Sequence, residues 1–296
     1  MNQYQTTQTT DIPFNHNLID GIIYEPLTTK QQLNNLKLSF EARTSDIFLS
    51  SYMKSGTLWN MQMVRLIMLK GEDPTDDLNL FEFCPVLEEI PNNDFIKAYP
   101  SPRCIHSHIP HNILIQSINK QQPCKYIYTA RNPGDVMVSL YYHIISREPY
   151  NSSVSWDRFV QLFMAGKVPY GSWYDHVLAW WAQKDRSNIL FLKYEDRLND
   201  PHATIRQIAD FIAIDLTEKE VQMVAKKSSF SAMKNNRLAN GSWMKRTPNS
   251  TTQHLRKGII GDWKNHLTTE QLVSFKKQYN EKTQGTGIDF GIENYY

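Results

Sequence analysis

Short apolar runs alternate with helix-period segments along most of the chain, with no internal repeat and no long linker between them. The apolar runs predict strands at 47–49, 95–98, 104–108, 125–130 and 188–194. The periodic segments predict helices at 58–70, 133–145, 156–164, 173–184, 204–212, 217–226 and 268–279. This alternation favours an α/β fold, with a mainly parallel central sheet flanked by helices.

Three segments lack such periodicity. Residues 72–93 are acidic and contain proline, which predicts a loop. Residues 235–257 mix Asn, Ser, Pro and basic residues, and a stretch that long without structure predicts a functional lid. The Gln- and Thr-rich N-terminus lacks the charged and apolar regions of a signal peptide. It predicts a disordered tail over residues 1–15, so that residues 16–296 form a single domain.

Composition narrows the class of protein. The chain has 32 Lys+Arg against 30 Asp+Glu, so no broad field for nucleic acid or membrane is expected. No run approaches the ~20 apolar residues that span a bilayer. The three cysteines, Cys84, Cys104 and Cys124, cannot all pair and do not have metal-ligand spacing. Free thiols in a reducing compartment predict a cytoplasmic protein.

The loop between the strand at 47–49 and the helix at 58–70 predicts an anion site. A strand, a tight turn and a helix in that order place unpaired N–H groups at a helix N-terminus, which suits phosphate. Lys54 adds a positive charge, and Ser55 and Thr57 add hydroxyl donors. The loop is not a standard Walker A, because Lys54 precedes Gly56 by two residues instead of following a glycine. On the residues alone, an ordinary surface turn is an equal alternative.

A second phosphate site is predicted at the end of the strand at 125–130. Arg131 follows this strand, Ser139 lies in the next helix, and ligands of open α/β sheets collect at such ends. Arg256, Lys257 and Gly258 offer two charges and free backbone N–H groups to a phosphate. A salt-bridged arginine and a solvated basic pair are the simpler alternatives.

His106 and His108 lie two residues apart on a predicted strand and therefore face the same side. An imidazole titrates near neutrality, so His108 is a candidate general base, although the residues alone favour a pair of satisfied or exposed histidines. No third ligand lies at useful spacing, so no metal is predicted. Glu195 and Asp196 follow the strand at 188–194 and leave open a magnesium-dependent kinase.

Six motifs in the same order resemble those of the cytosolic sulfotransferases. The resemblance extends from about residue 20 to 290. The motifs are S-Y-M-K-S-G-T-L-W (51–59), S-H-I-P (107–110), Y-x-A-R-N-P-x-D-V-x-V-S-x-Y-Y-H (128–143), Y-G-S-W-Y-D-H-V-x-x-W-W (170–181), L-x-Y-E-D (192–196) and R-K-G-x-x-G-D-W-K (256–264).

The resemblance implies a P-loop-like fold that binds the sulfate donor 3′-phosphoadenosine 5′-phosphosulfate (PAPS) and releases 3′-phosphoadenosine 5′-phosphate (PAP). It implies the following roles in this sequence. The 5′-phosphate would be held by Lys54, Ser55, Gly56 and Thr57, in a loop that includes Leu58. The 3′-phosphate would be held by Arg131, Ser139, Arg256, Lys257 and Gly258. The adenine would be held by Trp59, Tyr194, Ser229 and Phe230. The catalytic group would comprise His108, Lys54, His106 and Ser139. An apolar acceptor pocket is expected among Phe81, Phe83, His106, Tyr142, Tyr150, Tyr170, Trp243 and Met244.

Charge supports this reaction without a metal. A transferring sulfuryl group carries one formal negative charge, fewer than a phosphoryl group, so lysine and backbone donors can stabilise it without Mg²⁺. A soluble enzyme that acts on a small lipophilic phenol, alcohol or amine is therefore the main prediction. A PAPS- or PAP-binding module with little turnover is the alternative, and a small-molecule kinase is the third.

The chain departs from the family pattern at several positions. His106 stands where the family has lysine, which predicts lower turnover that falls further above about pH 7. Leu58 replaces a threonine and removes a phosphate contact worth about 1 kcal/mol. His254 and Leu255 replace Phe-Met, which predicts altered packing on the adenine.

The dimer segment of the family, K-x-x-x-T-V-x-x-x-E, is also altered. Lys264 and Thr268 are kept, whereas Thr269 and Val273 replace Val and Glu. A homodimer remains possible, but its formation through this segment is not predicted.

Overall fold

A computed structural model describes residues 11–118, 124–248 and 250–292. Within these ranges the strands are β1 (Asn17–Ile19), β2 (Ile22–Tyr24), β3 (Ile47–Ser51), β4 (Cys104–Ser107), β5 (Lys125–Ala130) and β6 (Ile189–Lys193). The helices are α1 (Lys30–Ser39), α2 (Thr57–Met68), α3 (Leu80–Phe83), α4 (Asn93–Lys97), α5 (His111–Ile118), α6 (Pro133–Ser146), α7 (Trp156–Met164), α8 (Trp173–Trp181), α9 (Tyr194–Asn199), α10 (Pro201–Ile212), α11 (Glu218–Lys227), α12 (Phe230–Asn235) and α13 (Thr269–Thr283).

The central sheet is parallel, as the sequence predicts, with strand order β4-β3-β5-β6. Leu49 pairs with His106, Ser51 with Thr129 and Ala130 with Lys193. Because the strands run in one direction, the loops that follow them meet at one edge of the sheet. The chain places β4 on one side of β3 and β5 on the other, and ligand sites of α/β folds lie at such a change of direction.

The two faces of the sheet bury two apolar clusters. In β3, Phe48 belongs to one cluster, together with Val136 of α6, and stacks on Tyr126 with ring centroids 5.3 Å apart. The neighbouring residue Leu49 belongs to the other cluster, together with Val64 of α2. The period of two along the strand therefore fixes α6 on one face and α2 on the other. These two helices begin at the edge where the functional loops meet.

Two predicted segments differ from the structure. The predicted strand at 95–98 is instead the short helix α4. Its first turn is capped by Asn92, whose side chain accepts the N–H of Phe95, while Phe95 itself is exposed and pairs with no strand. The predicted loop at 72–93 contains α3, because Asn79 and Glu82 form a reciprocal capping box. In both segments the capping of a helix by polar side chains decided the structure. It outweighed the apolar run that predicted a strand at 95–98 and the acidic composition that predicted a loop at 72–93.

The prediction of a disordered tail is wrong for residues 11–15. Ile12 and Phe14 are buried, and the N–H of Asn15 donates to the carbonyl of Tyr150 at 2.6 Å. The short hairpin of β1 and β2, which the sequence did not predict, follows directly. Residues 1–10 lie outside the described residues.

The remaining predicted elements are confirmed with small shifts of their ends. Asn132 caps α6 through the N–H groups of Gly134 and Asp135, as predicted. Over residues 236–248 and 250–257 the described chain contains no helix and no strand, as expected for a lid. The three cysteines are buried and form no disulfide among the described residues, and none of the described helices has the length and apolar character needed to cross a bilayer.

Candidate active site

A cavity of about 730 Å³ opens at the carboxyl edge of the sheet. Most of the predicted site residues line it, namely Lys54, Gly56, Thr57, Leu58, Trp59, Phe81, His106, His108, Arg131, Ser139, Tyr194, Phe230, Trp243, Met244, Arg256, Lys257 and Gly258. The fold therefore brings together residues that lie up to two hundred positions apart.

The loop at the start of α2 forms a cradle for an anion. Gly56 has φ +97°, and a Cβ at this position would lie 2.8 Å from Cδ2 of Tyr194. Glycine is thus required both by the backbone and by the close approach of the ring. Among the described residues, the buried Oγ of Ser55 has no hydrogen-bond partner. An unpaired buried hydroxyl beside a helix N-terminus is a group that a bound phosphate can satisfy.

Arg131 joins this loop to the C-terminal part of the chain. Its Nη1 donates to the carbonyl of Lys54 at 3.3 Å and its Nη2 to that of Ile259 at 3.1 Å. The guanidinium lies 4.3 Å from the ring centroid of Tyr194. Within the described residues, its buried Nε has no partner. Arg131 is therefore held in place and keeps donor capacity for a ligand.

The basic pair is held by a carboxylate that the sequence analysis did not single out. Asp262 contacts Nη2 of Arg256 at 2.7 Å and Nζ of Lys257 at 2.6 Å. Burial opposes ionisation of Asp262, but these two contacts outweigh it and hold its pKa below the usual range. The segment is fixed beside α6 because Asp135 accepts the N–H of Gly261 at 2.8 Å.

Aromatic side chains form the wall where the adenine is predicted to bind. Trp59 and Tyr194 make an edge-to-face pair with centroids 5.3 Å apart. Ser229 is misplaced by the sequence-based prediction, because it is exposed and its Oγ caps α12 by accepting the N–H of Ala232. Its neighbour Ser228 lines the cavity instead. Ser229 is the N-cap of α12, because that helix begins at residue 230. The Oγ of an N-cap residue turns toward the first N–H groups of its helix, so that of Ser229 does not point into the cavity.

His108 is clamped on three sides. Its ring Nδ1 lies 2.8 Å from the carbonyl of Ser51, and its backbone N–H donates to Oε1 of Glu88 at 2.5 Å. Its carbonyl lies 2.9 Å from Nε2 of His176, whose Nδ1 lies 2.8 Å from the hydroxyl of Tyr128. A carbonyl only accepts, so Nδ1 carries the proton and Nε2 keeps a lone pair. Burial lowers the pKa of His108, so the ring is neutral at pH 7.

His106 does not titrate near neutrality, so the predicted loss of its charge above pH 7 is wrong. Its Nδ1 lies 2.8 Å from the carbonyl of Cys84, and its ring lies 5.0 Å from that of Phe81. Burial, and then the charge of His108, lower the pKa of His106 to about 3. The two histidine rings do share one side as predicted, with centroids 5.8 Å apart.

The amine of Lys54 lies between two imidazoles. Its Nζ is 3.5 Å from Nδ1 of His143 and 3.3 Å from Nε2 of His254. Burial, followed by the charge of Arg147, lowers the pKa of Lys54 to about 7. His254 was expected to alter packing on the adenine, but the structure places it against the lysine instead. The sequence shows only that His254 precedes Arg256, and this contact depends on how the lid folds back.

Four residues proposed for the acceptor pocket lie on its border or away from the cavity. Tyr170 packs beside His108 with ring centroids 5.5 Å apart, and Tyr150 donates its hydroxyl to Glu25 at 2.7 Å. Tyr142 lies under Arg256, 5.0 Å from its guanidinium, and Phe83 packs on Arg65 in the second apolar cluster. The cavity also has lining residues that no motif predicts, among them Glu25, Leu27, Val86, Glu89, Arg147 and Pro149.

Glu195, the candidate magnesium ligand of a kinase, has a structural role. Its Oε1 accepts the N–H of Asn132 at 2.8 Å and so anchors the start of α6. Burial raises the pKa of Glu195. The fold and the site together define a group-transfer enzyme of the P-loop-like α/β class, with an anion cradle, a second cluster of cations and a buried imidazole beside one cavity.

Comparison with known proteins identifies the family. The sulfotransferase domain model matches residues 44–287. Sulfotransferase 1 family member D1 of Mus musculus is 37% identical over 263 residues, which are 86% of this chain and 89% of that protein. Sulfotransferase 1C2 of Homo sapiens is 33% identical over 283 residues, covering 93% and 95%. The chain belongs to the cytosolic sulfotransferase family and is a sulfotransferase.

A solved structure supports the same assignment. The crystal structure of mouse sulfotransferase SULT7A1 complexed with PAP has a TM-score of 0.79 and 31% identity, and the match covers 95% of this chain and 98% of that chain. The predicted fold is therefore confirmed over nearly the whole chain.

Proposed function

We propose that the enzyme transfers the sulfuryl group of PAPS to a hydroxyl or amine of a small lipophilic acceptor, with His108 as the general base. The observation that carries this proposal is the fixed tautomer of His108, whose Nε2 lone pair faces the same cavity as the amine of Lys54. A neutral buried imidazole can accept the proton that an attacking hydroxyl must lose.

The residues at the donor end fit PAPS. The unpaired Oγ of Ser55 and Nε of Arg131, both buried, offer donors to its two phosphate groups. Gly258 approaches the ring of Phe230 so closely that a Cβ would lie 2.3 Å from Cδ2, which keeps a flat wall for a purine. When bound, PAPS supplies the activated sulfuryl group.

Lys54 and His108 have different roles in the transfer of the sulfuryl group. His108 takes the acceptor proton at Nε2 while the acceptor oxygen or nitrogen attacks sulfur. Lys54 places its ammonium where negative charge collects on the departing phosphate oxygen. The negative charges of the donor favour the protonated amine, so donor binding raises the pKa of Lys54 above the value of about 7 found without it. His176 and Glu88 hold the backbone of His108 and orient its ring.

The test is transfer of labelled sulfate from PAPS to a panel of phenols, sterols, aliphatic alcohols and amines. Wild-type enzyme should form product, whereas His108→Ala should reduce kcat at least about 10²-fold while still binding PAP. His202→Ala, at an exposed position of α10, is the matched control and should keep full activity. PAP binding without product in every acceptor class would support the binding module instead.

We further infer a cytoplasmic enzyme that does not dimerise through the segment at 264–273. Val273, which replaces the glutamate of the family pattern, is 63% exposed on α13. Size-exclusion chromatography with light scattering tests this: a dimer that Val273→Asp disrupts would contradict it.

A further inference from the structure

The acceptor end of the cavity contains a carboxylate that the reaction does not need. Glu25 follows β2 and lines the cavity. Both of its side-chain contacts fall on Oε1, which accepts the hydroxyl of Tyr150 at 2.7 Å and lies 3.6 Å from Nε2 of His143. Among the described residues, Oε2 accepts no hydrogen bond. The side chain is 18% exposed, so this oxygen is open to the cavity, where a ligand that carries a hydrogen-bond donor can reach it.

Glu25 is fixed in place before any ligand arrives. Its carbonyl accepts the N–H of Thr28 at 3.1 Å, and Asn17 donates to the next carbonyl, that of Pro26, at 3.1 Å. Two residues earlier, the carbonyl of Ile23 accepts the N–H of Tyr170 at 2.7 Å, and the ring of Tyr170 packs against His108. The unpredicted hairpin therefore carries Glu25 to the same end of the cavity as the general base.

The carboxylate is charged, and a second one lies nearby. Burial raises the pKa of Glu25, but the contacts with His143 and Tyr150 outweigh it and place the pKa below the usual range. His143 stays neutral, because burial and the charge of Lys54 lower its pKa to about 3. Glu89 lines the same cavity, and burial, followed by the charge of Glu25, raises its pKa to about 7.

The cationic side chains that line the cavity do not neutralise the carboxylates of Glu25 and Glu89 at its acceptor end. Arg147 lies within electrostatic reach of Glu25, but it forms no ion pair with Glu25 or Glu89 in the described part of the chain. Its Nη1 donates to the carbonyl of Lys245 at 2.9 Å, and among the described residues its buried Nε has no hydrogen-bond partner. Lys54 serves the donor. Leu27, Val86 and Pro149 supply apolar wall around the carboxylates.

We propose that the acceptor carries an ammonium group as well as the hydroxyl that is sulfated, and that Glu25 binds this ammonium. An ammonium covers Oε2 with a donor and cancels its charge, whereas a neutral hydroxyl supplies only the hydrogen bond. The apolar walls and the cationic end together describe an aminophenol or a lipophilic amino alcohol. This inference rests on the proposed function, because it takes this cavity as the acceptor site.

Binding to the PAP-loaded protein tests the proposal without requiring turnover. Three phenols of similar shape serve as probes: tyramine ends in an ammonium, 4-propylphenol in a methyl group and 3-(4-hydroxyphenyl)propionate in a carboxylate. At pH 7 the wild-type Kd of tyramine should be about tenfold lower than that of 4-propylphenol, which is about 1.4 kcal/mol. The propionate should bind most weakly.

Glu25 variants assign the preference to one residue. In Glu25→Gln, which keeps an acceptor for Tyr150, the two Kd values should become equal, whereas Glu25→Asp should retain part of the preference. Glu41→Gln, at a side chain that is 72% exposed, is the control and should behave as wild type. Binding of 4-propylphenol in Glu25→Gln shows that the cavity is intact.

Several results would overturn the proposal. The first is a wild-type protein that binds tyramine no more tightly than 4-propylphenol, or that binds none of the three probes. The second is a preference for the propionate, which would point to Arg147 as the binding group. The third is a ratio of the Kd values of tyramine and 4-propylphenol that stays unchanged in Glu25→Gln. Failure of the proposed function is distinct. In that case the wild-type protein binds tyramine more tightly than 4-propylphenol and Glu25→Gln loses this preference, but no acceptor receives labelled sulfate.

Discussion

Nζ of Lys54 lies 3.3 Å from Nε2 of His254, a residue two hundred positions later in the chain. Burial and the charge of Lys54 hold the pKa of His254 well below its usual value, so the imidazole is neutral and accepts a hydrogen bond from the ammonium. The segment predicted to be a lid thereby reaches the residue that we propose to stabilise the leaving group. Such a contact favours the protonated form of Lys54 against the effect of burial.

Replacement of His254 by Phe should weaken PAP binding in a pH-dependent way. A hydrogen bond to a charged group contributes about 1.5–3 kcal/mol, and its loss lowers the pKa of Lys54 from about 7. At the lower end of that range the pKa falls by about one unit to about 6, so at pH 5 the amine remains protonated and the Kd of PAP should change little. At pH 8 the Kd should rise about tenfold. Titration calorimetry at both pH values measures this. His254→Gln restores an acceptor and is the control, so equal losses in Phe and Gln variants at both pH values would rule out the contact as the cause.

The sequence predicted the parts of this site that depend on short-range order. The strand before Lys54 and the capped helix after Arg131 follow from local patterns, and parallel strands place their ends at one edge. The motif resemblance assigned roles to residues that local patterns could not separate from ordinary turns. Ser229 shows the limit of the local information, because whether a serine caps a helix or faces a cavity depends on where that helix begins.

The parts that could not be predicted depend on long-range packing. The hairpin that carries Glu25 has strands of three residues, too short to give a period-two signal. The low pKa of His106 arises from burial and from the neighbouring His108, which outweigh the carbonyl of Cys84 22 positions away, so its unperturbed value near 6.5 was a poor guide. The contact between His254 and Lys54 joins residues two hundred positions apart in the chain.

The pH profile of the wild-type enzyme should differ between kcat/KM for PAPS and kcat. The donor-free enzyme loses the proton of Lys54 as pH rises through about 7, so kcat/KM should fall above that pH. With the donor bound the pKa of Lys54 is higher, and kcat should fall only at higher pH. On the acid side both should decline as His108 becomes protonated, below its usual pKa because burial lowers it.

The variant Lys54→Arg tests whether the alkaline fall in kcat/KM comes from Lys54, separately from the acid fall assigned to His108. A guanidinium stays charged throughout, so the alkaline fall in kcat/KM should disappear in this variant even though its activity is reduced. Steady-state rates between pH 5 and 9 are the measurement. A wild-type kcat/KM that stays level up to pH 9 would show that the proton of Lys54 does not limit donor capture.

Asp262→Asn should destabilise the folded enzyme. The carboxylate is 2% exposed and holds Arg256 and Lys257 beside each other, so its loss leaves two neighbouring cations without their counter-charge. Removal of one member of a buried ion pair costs about 3–5 kcal/mol, but Lys257 is 46% exposed, so a loss of about 2 kcal/mol in the free energy of unfolding is expected.

Urea unfolding at pH 7 measures this loss. Asp185→Asn, at a side chain that is 87% exposed and paired only with Lys184, is the control and should change stability by less than about 0.5 kcal/mol. Equal stability of the two variants would mean that solvent screens the Asp262 contacts.

Gly56→Ala should damage both the backbone and the donor site. The residue has φ +97°, where an L-residue with a Cβ is strained by about 1–2 kcal/mol, and the added Cβ would lie 2.8 Å from Tyr194. The ring of Tyr194, which is part of the predicted adenine wall, must therefore move, and the Kd of PAP should rise about tenfold or more. Gly285→Ala is the matched control, because Gly285 has φ +75° but no atom within 4 Å of the added Cβ. Gly285→Ala should lose a similar amount of thermal stability, because its backbone is strained in the same way, and should keep the wild-type Kd of PAP. If both variants bind PAP as wild type does, the close approach of Gly56 and Tyr194 does not shape the donor site.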